Sequence, residues 1–109
     1  VVAYDNVTSS GGTNSSTISA SSIVLLDPVP ANTDFNVGSA TSNPAANITL
    51  VVTEYSNNGG STWTYTPTSL AGGAPAGFDR TVTHVRFTLT GPVNPADAAG
   101  NNGFTVRIR

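Results

Sequence analysis

Apolar and polar positions alternate over several short stretches of the chain, and no window keeps a 3.6-residue period. The clearest stretch is TVTHVRFTLTG, residues 81–91. There Val85, Phe87 and Leu89 share one face, and His84, Arg86 and Thr88 share the other. FTVRIR (104–109) sets Phe104, Val106 and Ile108 inward and Thr105, Arg107 and Arg109 outward. In ITLVVTEYS (48–56), strict alternation puts Ile48, Leu50, Val52 and Glu54 on one face. Thr49, Val51, Thr53 and Tyr55 fall on the other, and Glu54 is expected near a strand end. TISASSIVLLD (17–27) begins alternating and ends in the apolar run Ile23–Leu26. VVAYDNVT (1–8) and the segment around Phe35–Val37 give two more short strands.

Turn chemistry separates these stretches. DPVP (27–30) ends a strand, because proline cannot donate to a ladder, and Asp27 is expected to cap that turn through its own backbone. A further turn is expected at Asn43-Pro44. NNGG (57–60) predicts a hairpin turn with STWTYTP (61–67) as the return strand. Residues 68–80 and 92–103 read as loops. SSGGTNSS (9–16) has no apolar residue and reads as a flexible linker. The pattern predicts an all-β chain: a two-sheet antiparallel β-sandwich of about seven strands over 17–109, preceded by a strand and linker over 1–16.

Composition then narrows the function classes. The 109 residues suit one domain and one core. The chain has no Cys, no Lys and a single His, so it offers no disulfide, thiol nucleophile, Schiff base or multi-His metal site. A net charge of −2 argues against nucleic acid as a partner. No apolar run is long enough for membrane insertion, and no signal peptide is visible, so a secreted protein would be in its mature form. Low charge with much Ser, Thr and Asn fits an extracellular, cell-surface structural protein.

The segment SSIVLLDPVPANTDFNVGSAT, with EYSNNGGSTWTYTP, DRTVTHVRFTLTG and GNNGFTVRIR, resembles the domain of unknown function numbered eleven. That family comprises Ig-like repeats of long bacterial cell-wall proteins. The resemblance runs from about Ser21 to Arg109 and implies an extracellular structural or adhesive role, with no catalytic residues to carry over. Family members usually place a Gly-Asp turn and a long alternating strand before the first Asn-containing loop, often with a further strand ahead of that. Either Val1–Val7 is that strand, or the sandwich lacks it and keeps a groove that a neighbour's strand can fill. A second match, SNNGGSTW, is similar to the Asp-box hairpin S-x-D-x-G-x-T-W: Ser56, Gly60, Thr62 and Trp63 fit, and Asn58 stands where Asp is usual. It implies turn geometry and no glycosidase activity.

Candidate chemistry is sparse. Asp79, Arg80 and His84 lie close in sequence, but no nucleophile elbow or phosphate loop accompanies them, so no enzymatic role and no cofactor are expected. Asp97 with Asn94, Asn101 and Asn102 is a loop-type Ca²⁺ candidate without EF-hand spacing, and Asx-turn capping is the simpler reading. Trp63, Tyr65 and Tyr55 suggest either core packing or an aromatic platform for surface glycans. Asn6, Asn14 and Asn47 each open a glycosylation sequon.

Charge order is uneven. Residues 1–78 hold four acids and no Lys or Arg, whereas 79–109 hold all four Arg with two acids. Arg86, Arg107 and Arg109 are expected to project from the outer faces of two neighbouring strands and to contact an acidic surface of another copy. With the linker at 9–16, this gives the leading expectation: a subunit of a cell-surface filament, a homopolymer assembled by strand complementation. Val1, Val2, Ala3, Tyr4 and Val7 would be the donated contacts. The alternative is a glycan- or receptor-binding adhesive module.

Overall fold

The computed structural model describes residues 2–4, 23–44, 48–91 and 100–109. The chain is all-β and sandwich-like. Nine short strands are described: β1 (Val2–Tyr4), β2 (Ile23–Pro28), β3 (Thr33–Asn36), β4 (Thr41–Asn43), β5 (Thr49–Ser56), β6 (Phe78–Asp79), β7 (His84–Thr90), β8 (Gly100–Gly103) and β9 (Val106–Ile108). A single 3-10 turn, Ala71–Gly73, precedes β6. The strands form three antiparallel sheets, ordered β1-β8-β4, β2-β7-β5 and β6-β3-β9.

β7 follows its sequence pattern without exception. Val85, Phe87 and Leu89 are fully buried, and the residues between them are half-buried. β2 runs beside it in register, so Ile23 faces Leu89 and Leu25 faces Phe87. Opposite residues of an antiparallel pair share a face, so both side chains join the core. The odd-numbered positions of β2 therefore point inward, and Asp27 falls among them, opposite Val85. It does not cap the turn as expected: its Oδ2 is buried without a hydrogen-bond partner.

β5 departs from strict alternation. Leu50 faces Leu89, but Val52 faces Thr88, so Val51 is a β-bulge. Beyond it the parity is inverted. Thr53 and Tyr55 now face Phe87 and Val85 on the inner side, and Glu54 faces Arg86 on the outer. Val51 and Val52 are exposed.

The sheets meet through aromatics. Phe35 of β3 packs edge-on against Tyr55 of β5 at 5.6 Å between ring centroids and against Phe104 at 5.5 Å. Burying a side chain such as Phe35, Phe87 or Leu89 stabilises the fold by about 2 kcal/mol each. The C-terminal strand pairs with β3, placing Val106 opposite Phe35 and Arg107 opposite Asp34. Phe104 and Val106 are half-buried as expected, but Ile108 is 80% exposed, because its partner Thr33 lies at the end of the β3 ladder. β7 and β9 thus lie in different sheets, and the expectation that their arginines form one stripe on neighbouring strands is not met.

The expected return strand over 61–67 is also absent. Only one bridge, Tyr55 to Tyr65, ties that segment to β5. The preceding turn holds its beginning through the Thr62 amide on Asn58 Oδ1, and the Tyr65 hydroxyl ties its later part to Asp79.

Candidate functional site

Among the described residues, the N-terminal strand β1 pairs with β8. Val2, Ala3 and Tyr4 face Asn102, Asn101 and Gly100 of β8 in the same chain. β8 is the central strand of its sheet, with β4 on its far side: Thr41 faces Gly103, Ser42 faces Asn102 and Asn43 faces Asn101. On the β4 side, Asn43 Nδ2 donates to Asn101 Oδ1 at 3.1 Å. At the next register position Asn102 is wholly buried, and neither its Oδ1 nor its Nδ2 has a partner. Ser42 Oγ, its ladder neighbour, is buried and unpartnered as well. A buried polar group left unpaired costs roughly 1–3 kcal/mol, so this is the least satisfied polar spot among the described residues. Val1, Val7, Asn6, Asn14 and Asn47 lie outside the described residues, as do Asn94 and Asp97 of the Ca²⁺ candidate. Among the described residues no group of three His, Cys, Asp or Glu side chains gathers to hold a metal.

The Asp-box-like turn is built as its sequence implies. Ser56 Oγ accepts from the amide of Gly60 at 2.9 Å and of Asn58 at 3.3 Å, and donates to Asn58 Oδ1 at 2.7 Å. The same Oδ1 accepts from the Thr62 amide at 3.0 Å, and Asn58 Nδ2 donates to Thr62 Oγ1 at 2.8 Å. Gly59 and Gly60 take φ of 76° and 89°, the left-handed region that glycine enters without strain. The turn delivers Trp63 to the outer face of β7, where the Arg86 guanidinium lies 4.4 Å over its ring. Arg86 also forks onto Glu54 Oε1 at 2.8 and 3.1 Å. Tyr55 faces the core and Tyr65 bonds to Asp79, so the three aromatics form no common platform.

Two buried carboxylates, Asp79 and Asp34, organise the charged groups near this turn. Asp79 is wholly buried and accepts from the Tyr65 hydroxyl at 2.6 Å, the Thr81 hydroxyl at 2.7 Å, and the Thr81 and Thr68 amides at 2.7 and 2.8 Å. Burial pushes its pKa up, but these hydrogen bonds to the charged form outweigh burial and hold it below the ordinary value. Asp34, also wholly buried, faces three guanidiniums. Arg80 grips it in a fork at 2.8 and 3.2 Å, Arg107 Nη1 stands at 3.4 Å and Arg109 Nε at 3.3 Å. The Arg80 bond, aided by all three positive charges, lowers the Asp34 pKa against the opposing effect of burial.

Sequence reasoning had grouped Arg107 and Arg109 with Arg86. The structure gives Arg86 to Glu54 and Trp63, and replaces it with Arg80 in the cluster. Asp34 as a hub was not foreseen. Its signal was an acid set directly beside Phe35 in a short strand, where a buried charge has to be paired. Asp79 and Arg80 are engaged as above, and His84 lies edge-on to Trp63.

No family model, no curated protein sequence and no solved structure matches this chain.

Proposed function

We propose that this chain is a structural module of an extracellular, cell-surface filament, joined to further copies of itself by exchange of its N-terminal strand. The observation that carries the reading is the attachment of β1. It rests on a ladder of three residues to β8, beside the unsatisfied Asn102 and Ser42 side chains. Each ladder hydrogen bond contributes only about 1 kcal/mol net. A ladder this short is readily released and remade on an identical β8 of another copy. The segment 9–16, extended at about 3.3 Å per residue, reaches roughly 25 Å. Exchange that does not close into a ring propagates as a fibre. The low charge and the Ser, Thr and Asn content support the extracellular setting.

The chain has no cysteine, which makes the test direct. One preparation carries Ala3→Cys and a second carries Asn101→Cys, residues that face one another in the ladder. The two are mixed, unfolded, refolded together and oxidised. Exchange gives a disulfide between the two variants and longer species by electron microscopy. If only a chain carrying both substitutions closes a disulfide, and always within itself, the strand stays at home and the proposal fails.

A further inference from the structure

We propose that the cleft between residues 28–31 and residues 81–84 is a binding site for a carboxylate-bearing sugar, such as a hexuronate. The cleft measures about 340 Å³, within the size range of ligand sites. Arg80 and Arg109 line it, together with Thr83, His84 and Gly59 of the Asp-box-like turn. Pro28 and Pro30 form its apolar wall.

Charge is the first argument. The chain is net negative and holds four arginines, yet three of them converge on the single carboxylate of Asp34. Two of the three, Arg80 and Arg109, line the cleft and share the one buried Asp34 carboxylate, and among the described residues no other Asp or Glu lies within ion-pair distance of them. Like charges held this close repel one another, and a bound anion relieves that repulsion. The guanidinium fork matches a planar carboxylate by two parallel hydrogen bonds.

The lining is the second argument. His84 Nδ1 is buried and has no hydrogen-bond partner, so a polar group at the cleft remains to be satisfied. Proline rings offer a flat apolar surface to the C–H face of a pyranose, while hydroxyl and imidazole groups beside them suit ring hydroxyls. A bare inorganic anion uses none of this. The site is separate from β8, and it does not rest on the assembly reading.

The test is an amide NMR titration of the full chain at constant ionic strength with sodium glucuronate, glucose, sodium sulfate and N-acetyl-aspartate. Glucuronate is expected to shift the amides of Gly59, Thr83 and Arg109 saturably, and glucose to shift none. Arg109→Gln should weaken binding at least tenfold with an unchanged far-UV spectrum. A rise in the wild-type melting temperature in glucuronate over equal sodium chloride supports the site without any variant. Absence of saturable shifts overturns the proposal. Sulfate binding as well as glucuronate would mean an adventitious ion only. N-acetyl-aspartate binding as tightly would remove the sugar from the assignment, and unchanged affinity in folded Arg109→Gln would remove the cleft.

Discussion

The Tyr65 hydroxyl donates to Asp79 Oδ2 at 2.6 Å, joining the segment after the Asp-box-like turn to the last residue of β6. The bond stands in for the hairpin ladder that 61–67 does not form. Tyr65→Phe removes one charge-assisted hydrogen bond and should cost about 2 kcal/mol. Asp79→Ala should cost more, because it strands the Thr68 and Thr81 amides as well. Urea unfolding checks this through a lower midpoint at an unchanged slope. Equal stability of Tyr65→Phe and wild type would show that the bond is not formed in solution.

Stability should fall in acid, and the sign follows from the carboxylates. Asp34 and Asp79 have folded pKa values below the ordinary 3.8. They stabilise the fold above that value, and the contribution is lost as pH drops through their folded values. Asp27 acts oppositely: burial raises its pKa, so its contribution is present below 3.8 and lost as pH rises through the folded value. Asp27→Asn is therefore expected to raise the melting temperature at pH 7 and leave it nearly unchanged at pH 2. A variant that melts lower than wild type at pH 7 would contradict the inward, unpartnered placement of Asp27.

How much of this was legible in the sequence differs from one element to the next. β7 was legible to the residue, because a central strand buried on one face must alternate. The Asp-box-like turn was legible because each of its positions performs a fixed hydrogen-bonding task. The inversion in β5 was not, since a bulge costs one residue of register and leaves no mark in a run such as Leu50-Val51-Val52. Sheet membership of β9 was equally hidden: alternation gives the faces of a strand and says nothing about its neighbour. The Asp34 cluster depended on that pairing, so it stayed hidden too, while the charge order that supplies it was plain.

The turn itself gives a graded test. Ser56→Ala removes the acceptor for the Gly60 and Asn58 amides and should cost about 1–2 kcal/mol. Asn58→Asp keeps the Oδ1 acceptor for the Thr62 amide, and the Thr62 hydroxyl can turn to donate where it now accepts. It should stay within about 0.5 kcal/mol of wild type. Thermal melts of the two variants, side by side, check the difference.

Trp63 separates core from surface. It is half-buried under the Arg86 guanidinium, whereas Phe87 has no exposed surface. Trp63→Ala should cost about 2 kcal/mol, less than the roughly 3–5 kcal/mol expected for Phe87→Ala. If Trp63→Ala proves the more damaging in chemical denaturation, the ring belongs to the core after all.

The bulge at Val51 makes a prediction that uninterrupted alternation reverses. With no bulge, Ile48 fixes Val52 as an inner residue and Thr53 as an outer one. The observed register places Val52 opposite Thr88 and 40% exposed, and Thr53 opposite the wholly buried Phe87. Val52→Lys should thus be tolerated within about 0.5 kcal/mol, since a lysine there extends into water from the outer face. Thr53→Lys must desolvate an ammonium against Phe87 or bend the strand to free it, at a cost of several kcal/mol. Thr53→Val offers the converse: it keeps the shape, removes a hydroxyl from an apolar face and should leave stability equal or higher. Equilibrium unfolding of the three variants reads the parity of β5 directly. A destabilised Val52→Lys beside an unaffected Thr53→Lys would mean that the bulge is absent and that Glu54, not Tyr55, faces the core.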